Sequence, residues 1–211
     1  MIYLQKKNYP FGISTCKNKE NTLKFDITEN QQIIVDKIIE RYQNRNESAS
    51  ESDKAYTNGI SETDCKILGK IFEDLIPGQS IGHAMVLVEH KPWVIHTDYL
   101  NNNDKNPANA ILIPNQDIET STLIFNEECT VENFNDFPTV KNHVSEEIYE
   151  QYLSHCDWHK VQKVSVNEIY KWRRGTGVVW DRKALHSSDN FLKNGVAKKI
   201  ALTIFTKHVA D

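Results

Sequence analysis

Four cysteines, Cys16, Cys65, Cys129 and Cys156, are scattered through 211 residues without one Cys-x-x-Cys pair. That spacing argues against a zinc ribbon and a disulfide scaffold and fits a reduced, cytoplasmic protein. Long apolar runs are missing as well. No stretch approaches the ~20 apolar residues of a membrane span, and the first residues hold no apolar signal-type core. Neither sign of charge dominates: 25 Lys and Arg against 29 Asp and Glu give a net charge of -4 and a pI near 6.1. This leaves no footprint for non-specific nucleic-acid binding. No internal repeat is visible. What the chain does have is eight Phe, eight Tyr and four Trp within an apolar fraction of 39%, enough for the core of a single domain.

The organisation changes partway along. Residues 1–78 read as mostly helical after a short extended start. Asn30 to Gln43 sets Ile33, Ile34, Ile38 and Tyr42 at helical spacing, with Thr28 and Gln31 as a capping box. Asn44 to Asn58 is polar and Ser/Glu-rich, and reads as a mobile loop. A second helix starts at Ser61, buries Ile67, Leu68, Ile71 and Phe72, and stops at Pro77-Gly78. Short strand-like segments follow from Ile81: His83 to His90, Pro92 to Tyr99, Ala108 to Pro114 and Ser121 to Asn126. A polar insertion over 127–165 carries a helix at Ser145 to Ser154. Two more strand regions, Gly177 to Ser187 and Lys198 to Lys207, close the chain. Helices followed by many short strands imply an α+β, mainly β protein, with a barrel or jelly roll the attractive architecture.

The chemistry concentrates in His96-Thr97-Asp98. On an extended strand two residues apart share a face, so one imidazole and one carboxylate project together. A second imidazole from the distant His186 completes two His and one carboxylate, a set that leaves metal positions open and marks non-heme Fe(II) oxygenases. His155-Cys156-Asp157 has the same spacing. It lies just after a helix, without a clean strand pattern and close in sequence to His186, so His96 and Asp98 are preferred. On the closing strand Lys199, Ala201, Thr203 and Phe205 share one face, and Ile200, Leu202 and Ile204 the other. A lysine facing inward needs an anion, because a buried ammonium costs several kcal/mol unpaired.

In order, these elements resemble the iron(II)/2-oxoglutarate-dependent dioxygenases. The family pattern is His-x-Asp/Glu, a distal His, then a basic residue further on. The strand Lys199-Ile200-Ala201-Leu202-Thr203-Ile204-Phe205 is similar to that of prolyl-hydroxylase-like and phytanoyl-hydroxylase-like members. The resemblance covers about residues 81–207 and implies a double-stranded β-helix (a jelly-roll, cupin-like barrel) with the N-terminal helices packed on it. It implies that His96, Asp98 and His186 hold Fe(II). Lys199 would meet the distal carboxylate of 2-oxoglutarate, with Thr203 beside it and Lys198 as the alternative cation. The implied reaction consumes 2-oxoglutarate and O2, releases succinate and CO2, and hydroxylates a C–H bond. The substrate, small molecule or peptide, stays unnamed; a small molecule is preferred because no basic groove or repeat surface shows. Two rivals remain: a cupin-like metal-binding isomerase or small-molecule binder, and a non-enzymatic interaction module.

Overall fold

In the computed structural model, residues 22–44, 56–99, 106–129 and 140–209 are described. Nine strands form two antiparallel sheets. The larger contains β1 (Thr22–Asp26), β2 (Tyr56–Gly59), β3 (Gln79–Glu89), β4 (Pro107–Pro114), β7 (Thr176–Asp181) and β9 (Lys199–His208), in the order β1-β7-β4-β9-β3-β2. The smaller runs β6-β5-β8, from β6 (Val166–Lys171), β5 (Ser121–Glu128) and β8 (Ala184–Ser188). Among the described residues no strand belongs to both sheets, so the architecture is a sandwich of two sheets rather than one closed barrel.

Alternation along each strand decides what each face meets. On β9, Ile200, Leu202 and Ile204 join the helix-facing core, while Ala201 and Phe205 belong to a second cluster. That second cluster also takes Ala110 and Leu112 from β4, Ile124 from β5 and Trp180 from β7, so it fills the space between the sheets. The face split read from the sequence of β9 is therefore the one observed.

Two helices cover the outer face of the large sheet. Helix α1 (Glu29–Tyr42) starts at a capping box in which the Gln31 N–H donates to Thr28 Oγ1 and the Thr28 N–H to Gln31 Oε1. Helix α2 (Glu62–Ile71) is capped by Ser61, whose hydroxyl accepts from the Asp64 N–H. Asp64 also ties the two helices together, accepting from Arg41 and, at 2.7 Å, from the Tyr42 hydroxyl. Val35, Ile38, Ile39, Tyr42, Leu68 and Phe72 form their buried face. Ile33 and Ile67, expected inside, are 43% and 39% exposed. The apolar stripe is narrower than the spacing implied, because the sheet beneath is already filled by Val86, Val88 and Ile204.

The stretch before residue 79 also supplies sheet. β1 pairs with β7 and β2 with β3, making the two edges. The loop expected over 44–58 ends earlier, since Tyr56 opens β2; residues 45–55 lie outside the described ones. The strand region Gly177 to Ser187 holds an apolar strand, β7, a charged turn at Arg182-Lys183 and a strand that delivers His186, β8, as its residues indicate; the two strands enter different sheets. Strand β6 fell inside no expected strand. The helix expected at Ser145 to Ser154 is present, capped by Ser145: it opens as α3 (Glu146–Ile148) and continues as a π-helical segment, Tyr149–Leu153; α4 (Trp158–Val161) follows. Together they cover the outer face of the small sheet through Leu153 and Val161, against Leu123, Phe125 and Leu185. No helix among the described residues is long and apolar enough to cross a membrane.

Candidate metal centre and its cavity

His96 and His186 meet through their backbones. Each N–H donates to the other's carbonyl, at 3.0 and 2.9 Å, so the two residues sit opposite each other and their rings lie 4.2 Å apart. This single bridge is all the pairing that the expected strand Pro92 to Tyr99 makes. Side chains take over the rest of its backbone bonding. The Trp93 carbonyl accepts from the Ser187 hydroxyl at 2.9 Å and from His155 Nε2, while the Thr97 hydroxyl donates to the Arg182 carbonyl. The segment is extended enough for His96 and Asp98 to face one point, which is what the spacing required.

Both imidazoles have a fixed tautomer. His96 Nδ1 is 2.8 Å from the Val94 carbonyl and His186 Nδ1 is 3.2 Å from the Ala184 carbonyl. A carbonyl oxygen can only accept, so each Nδ1 carries the proton and each Nε2 presents a lone pair. Asp98 Oδ2 lies 3.3 Å from His186 Nε2, and one ligand atom from each of the three residues lies within 4.8 Å of the others. Burial, with the neighbouring His186 as second cause for His96, pushes both rings down to about 4, so neither is a cation near neutral pH. Burial pushes the Asp98 carboxyl up, against the pull of His96, Arg182 and His83. The Nε2 lone pairs of both rings therefore converge on the same point as the Asp98 carboxyl group. A cation resolves that arrangement, and two neutral imidazoles with a carboxylate suit a divalent transition metal.

The surroundings hold the cluster in place. Arg182 is buried, donates from Nη2 to the Asp98 carbonyl at 3.0 Å, and lies over the Phe205 ring at 4.9 Å. Its place in the turn between β7 and β8, where a charged side chain usually reaches water, gives no sign of that burial in the sequence. The Trp180 ring stands 5.1 Å from that of His186.

A cavity of about 260 Å³ opens beside the cluster. Met85, Leu87, Leu112, Trp180 and Phe205 make it apolar; Thr122, Ser188, Glu89 and Thr203 add polar groups toward the interior. Two buried polar atoms on its walls, Trp180 Nε1 and Thr203 Oγ1, lack hydrogen-bond partners. Buried polar atoms are usually paired, so these two call for a polar ligand.

Lys199 is buried, at 1% exposure, while Lys198 at the strand end is half-buried. The inward-facing cation is thus Lys199. Its anion is not left to a cosubstrate alone: Glu89, the residue opposite it on β3, places Oε2 3.4 Å from Nζ. Trp172 and Phe191 rings lie 4.4 and 5.2 Å from the ammonium. The ammonium still has no hydrogen-bond acceptor. Glu89 was missed in the sequence because it ends a strand whose other buried residues are apolar, a place where a charge normally reaches water. His155 and Asp157 stay out of the cluster: His155 bonds the Trp93 carbonyl and Asp157 caps α4.

No protein-family model matches the chain, and no curated protein matches it in sequence. Solved structures do resemble it. One is SnoK, a non-heme alpha-ketoglutarate-dependent carbocyclase from nogalamycin biosynthesis, with a TM-score of 0.55 at 10% identity, covering 90% of this chain and 80% of that one. EvdO2 from Micromonospora carbonacea var. aurantiaca gives 0.52 at 10% identity, covering 95% of each chain. SnoN, a non-heme alpha-ketoglutarate-dependent epimerase from the same biosynthesis as SnoK, gives 0.50 at 9% identity, covering 90% of this chain and 79% of that one. With its two antiparallel sheets and the strand order above, the chain shares the fold of these solved structures, two of which are non-heme alpha-ketoglutarate-dependent enzymes.

Proposed function

We propose that this protein is an Fe(II)- and 2-oxoglutarate-dependent dioxygenase that hydroxylates a C–H bond of a small-molecule substrate. The observation that carries the reading is the convergence of His96 Nε2, His186 Nε2 and the Asp98 carboxyl group, each within 4.8 Å of the others, with both Nδ1 protons held by backbone carbonyls. These three residues would hold the iron. Bound there with its cosubstrate, iron supplies the redox chemistry that couples conversion of 2-oxoglutarate and O2 to succinate and CO2 to oxidation of the substrate.

The chain's own part is geometry and exclusion of water. The Val94 and Ala184 carbonyls fix the ring orientations, and Arg182 steadies the backbone that carries Asp98. Met85, Leu112, Trp180 and Phe205 keep the reacting region apolar. Lys199 and Thr203, with unused hydrogen-bonding capacity, are the groups assigned to the cosubstrate's distal carboxylate. The modest cavity supports a small molecule over a macromolecular side chain.

A second reading, a cupin-like metal protein without oxygenase activity, is favoured by one observation: Glu89 already stands beside Lys199. Aerobic turnover separates the two. Supplied with Fe(II), ascorbate and 2-oxoglutarate, the protein is expected to form succinate, slowly even without its substrate, and Asp98→Ala to form none. Succinate no higher than in the Asp98→Ala control would overturn the dioxygenase reading.

A further inference from the structure

Charge does not balance in the buried polar cluster beside the cavity wall. Lys199, Glu89 and Asp189 are all buried, at 1%, 2% and 1% exposure. Asp189 is satisfied by its surroundings, accepting from the Thr120 hydroxyl and the Ser121 N–H. Glu89 lines the cavity, accepts from the Ser188 hydroxyl, and stands 3.4 Å from the Lys199 ammonium. One cation thus serves two carboxylates before any cosubstrate arrives. Burial, with Asp189 as an added cause, already raises the Glu89 carboxyl.

An ion pair serving structure alone would use its hydrogen bonds fully, since a buried pair recovers its desolvation cost only with good geometry. This one does not: at 3.4 Å the Glu89 oxygen stands beyond the usual hydrogen-bond length and out of line with the ammonium's N–H groups. Lys199 stands behind the cavity wall, and Glu89, which does line the cavity, is the anion between it and that space.

We propose that Glu89 is a specificity-determining residue for the cosubstrate. Its carboxylate competes with the distal carboxylate of a 2-oxo diacid for Lys199, so the site penalises 2-oxoglutarate relative to 2-oxo acids with uncharged tails. The proposal rests on the dioxygenase reading. It adds that the anchor of this chain is held back by a carboxylate of its own, and that removing this charge makes the diacid a better ligand.

The test is calorimetric titration of the Mn(II)-loaded protein, with Mn(II) as a redox-quiet stand-in for iron, using 2-oxoglutarate and 2-oxobutyrate in parallel. Glu89→Gln keeps the side chain's shape and removes its charge. It is expected to tighten 2-oxoglutarate about tenfold or more, because juxtaposed like charges are costly, and to leave 2-oxobutyrate within about twofold. Glu89→Asp, which retains the charge but draws it back from Lys199, is expected to show a smaller shift in the same direction. It serves alone should the Gln variant not fold. Both acids binding the wild type, with 2-oxoglutarate bound no tighter by either variant, overturns the role of Glu89 and leaves the dioxygenase reading standing. Failure of both acids to bind any of these proteins overturns the two together.

Discussion

Acidifying the metal-free protein from about pH 7 to about pH 5 is expected to cost a large part of its stability. The cause lies in the metal cluster. Both His96 and His186 are held neutral by burial, their pKa lowered from 6.5 to about 4. The unfolded chain therefore binds more protons than the folded one between those values. Stability is intact above about 6.5 and falls as the pH descends toward 4. At pH 5 an unfolded imidazole is nearly all protonated and a folded one mostly is not, a difference of about 2 kcal/mol per ring. Both rings together give roughly 4 kcal/mol, against roughly 5–15 kcal/mol for the whole stability of a typical domain. Asp98 acts in the opposite sense. Its carboxyl is raised by burial, so the folded state takes up that proton first and recovers part of the loss, which makes the sum a ceiling. The assay is urea unfolding followed by circular dichroism, with chelator, at both pH values, for the wild type and His186→Gln. The wild type should lose about 2 kcal/mol more than the variant. Equal losses would refute the assignment of a buried, neutral His186, because every other titrating group is common to both proteins.

Three further substitutions probe the frame around the site. Gly177→Ala in β7 would set a Cβ 2.3 Å from the Phe25 ring, which packs over that glycine and edge-on to Phe72. An overpacking cost of about 1–3 kcal/mol is expected in denaturant unfolding, and a neutral result would mean that the ring does not cover the glycine. Lys199→Met should cost about 3–5 kcal/mol by leaving Glu89 without its cation, and adding Glu89→Leu should return most of it. If the double variant melts no higher than the single one, the pair is not the source of the loss.

Much of the site was legible because its logic is local. His96 and Asp98 needed only an extended segment, and the face of Lys199 and Thr203 followed from alternation along β9. The segment's irregularity was not legible. Trp93 to Tyr99 looks like a strand by residue type, but its Trp93 carbonyl is claimed by the Ser187 and His155 side chains, distant in the chain. Glu89 was hidden for the same kind of reason. Only the register of β3 on β9, which sets Glu89 opposite Lys199, brings its charge to the cavity. The helices behave alike. Thr28-Gln31 and Ser61-Asp64 announced where α1 and α2 begin, whereas exposure of Ile33 and Ile67 depended on the sheet beneath. The Arg182-Lys183 turn that splits β7 from β8 was visible as a charged interruption. That its two strands enter different sheets, carrying His186 across to meet His96, is a property of the tertiary fold.

The most direct measurement is anaerobic Fe(II) titration of the purified protein by calorimetry, repeated on His96→Ala, Asp98→Ala and His186→Ala. A single ion bound per chain, lost or weakened by orders of magnitude in each variant while circular dichroism shows the fold intact, is the expected result. Undiminished iron binding by all three variants would contradict the claim that these side chains form a metal centre.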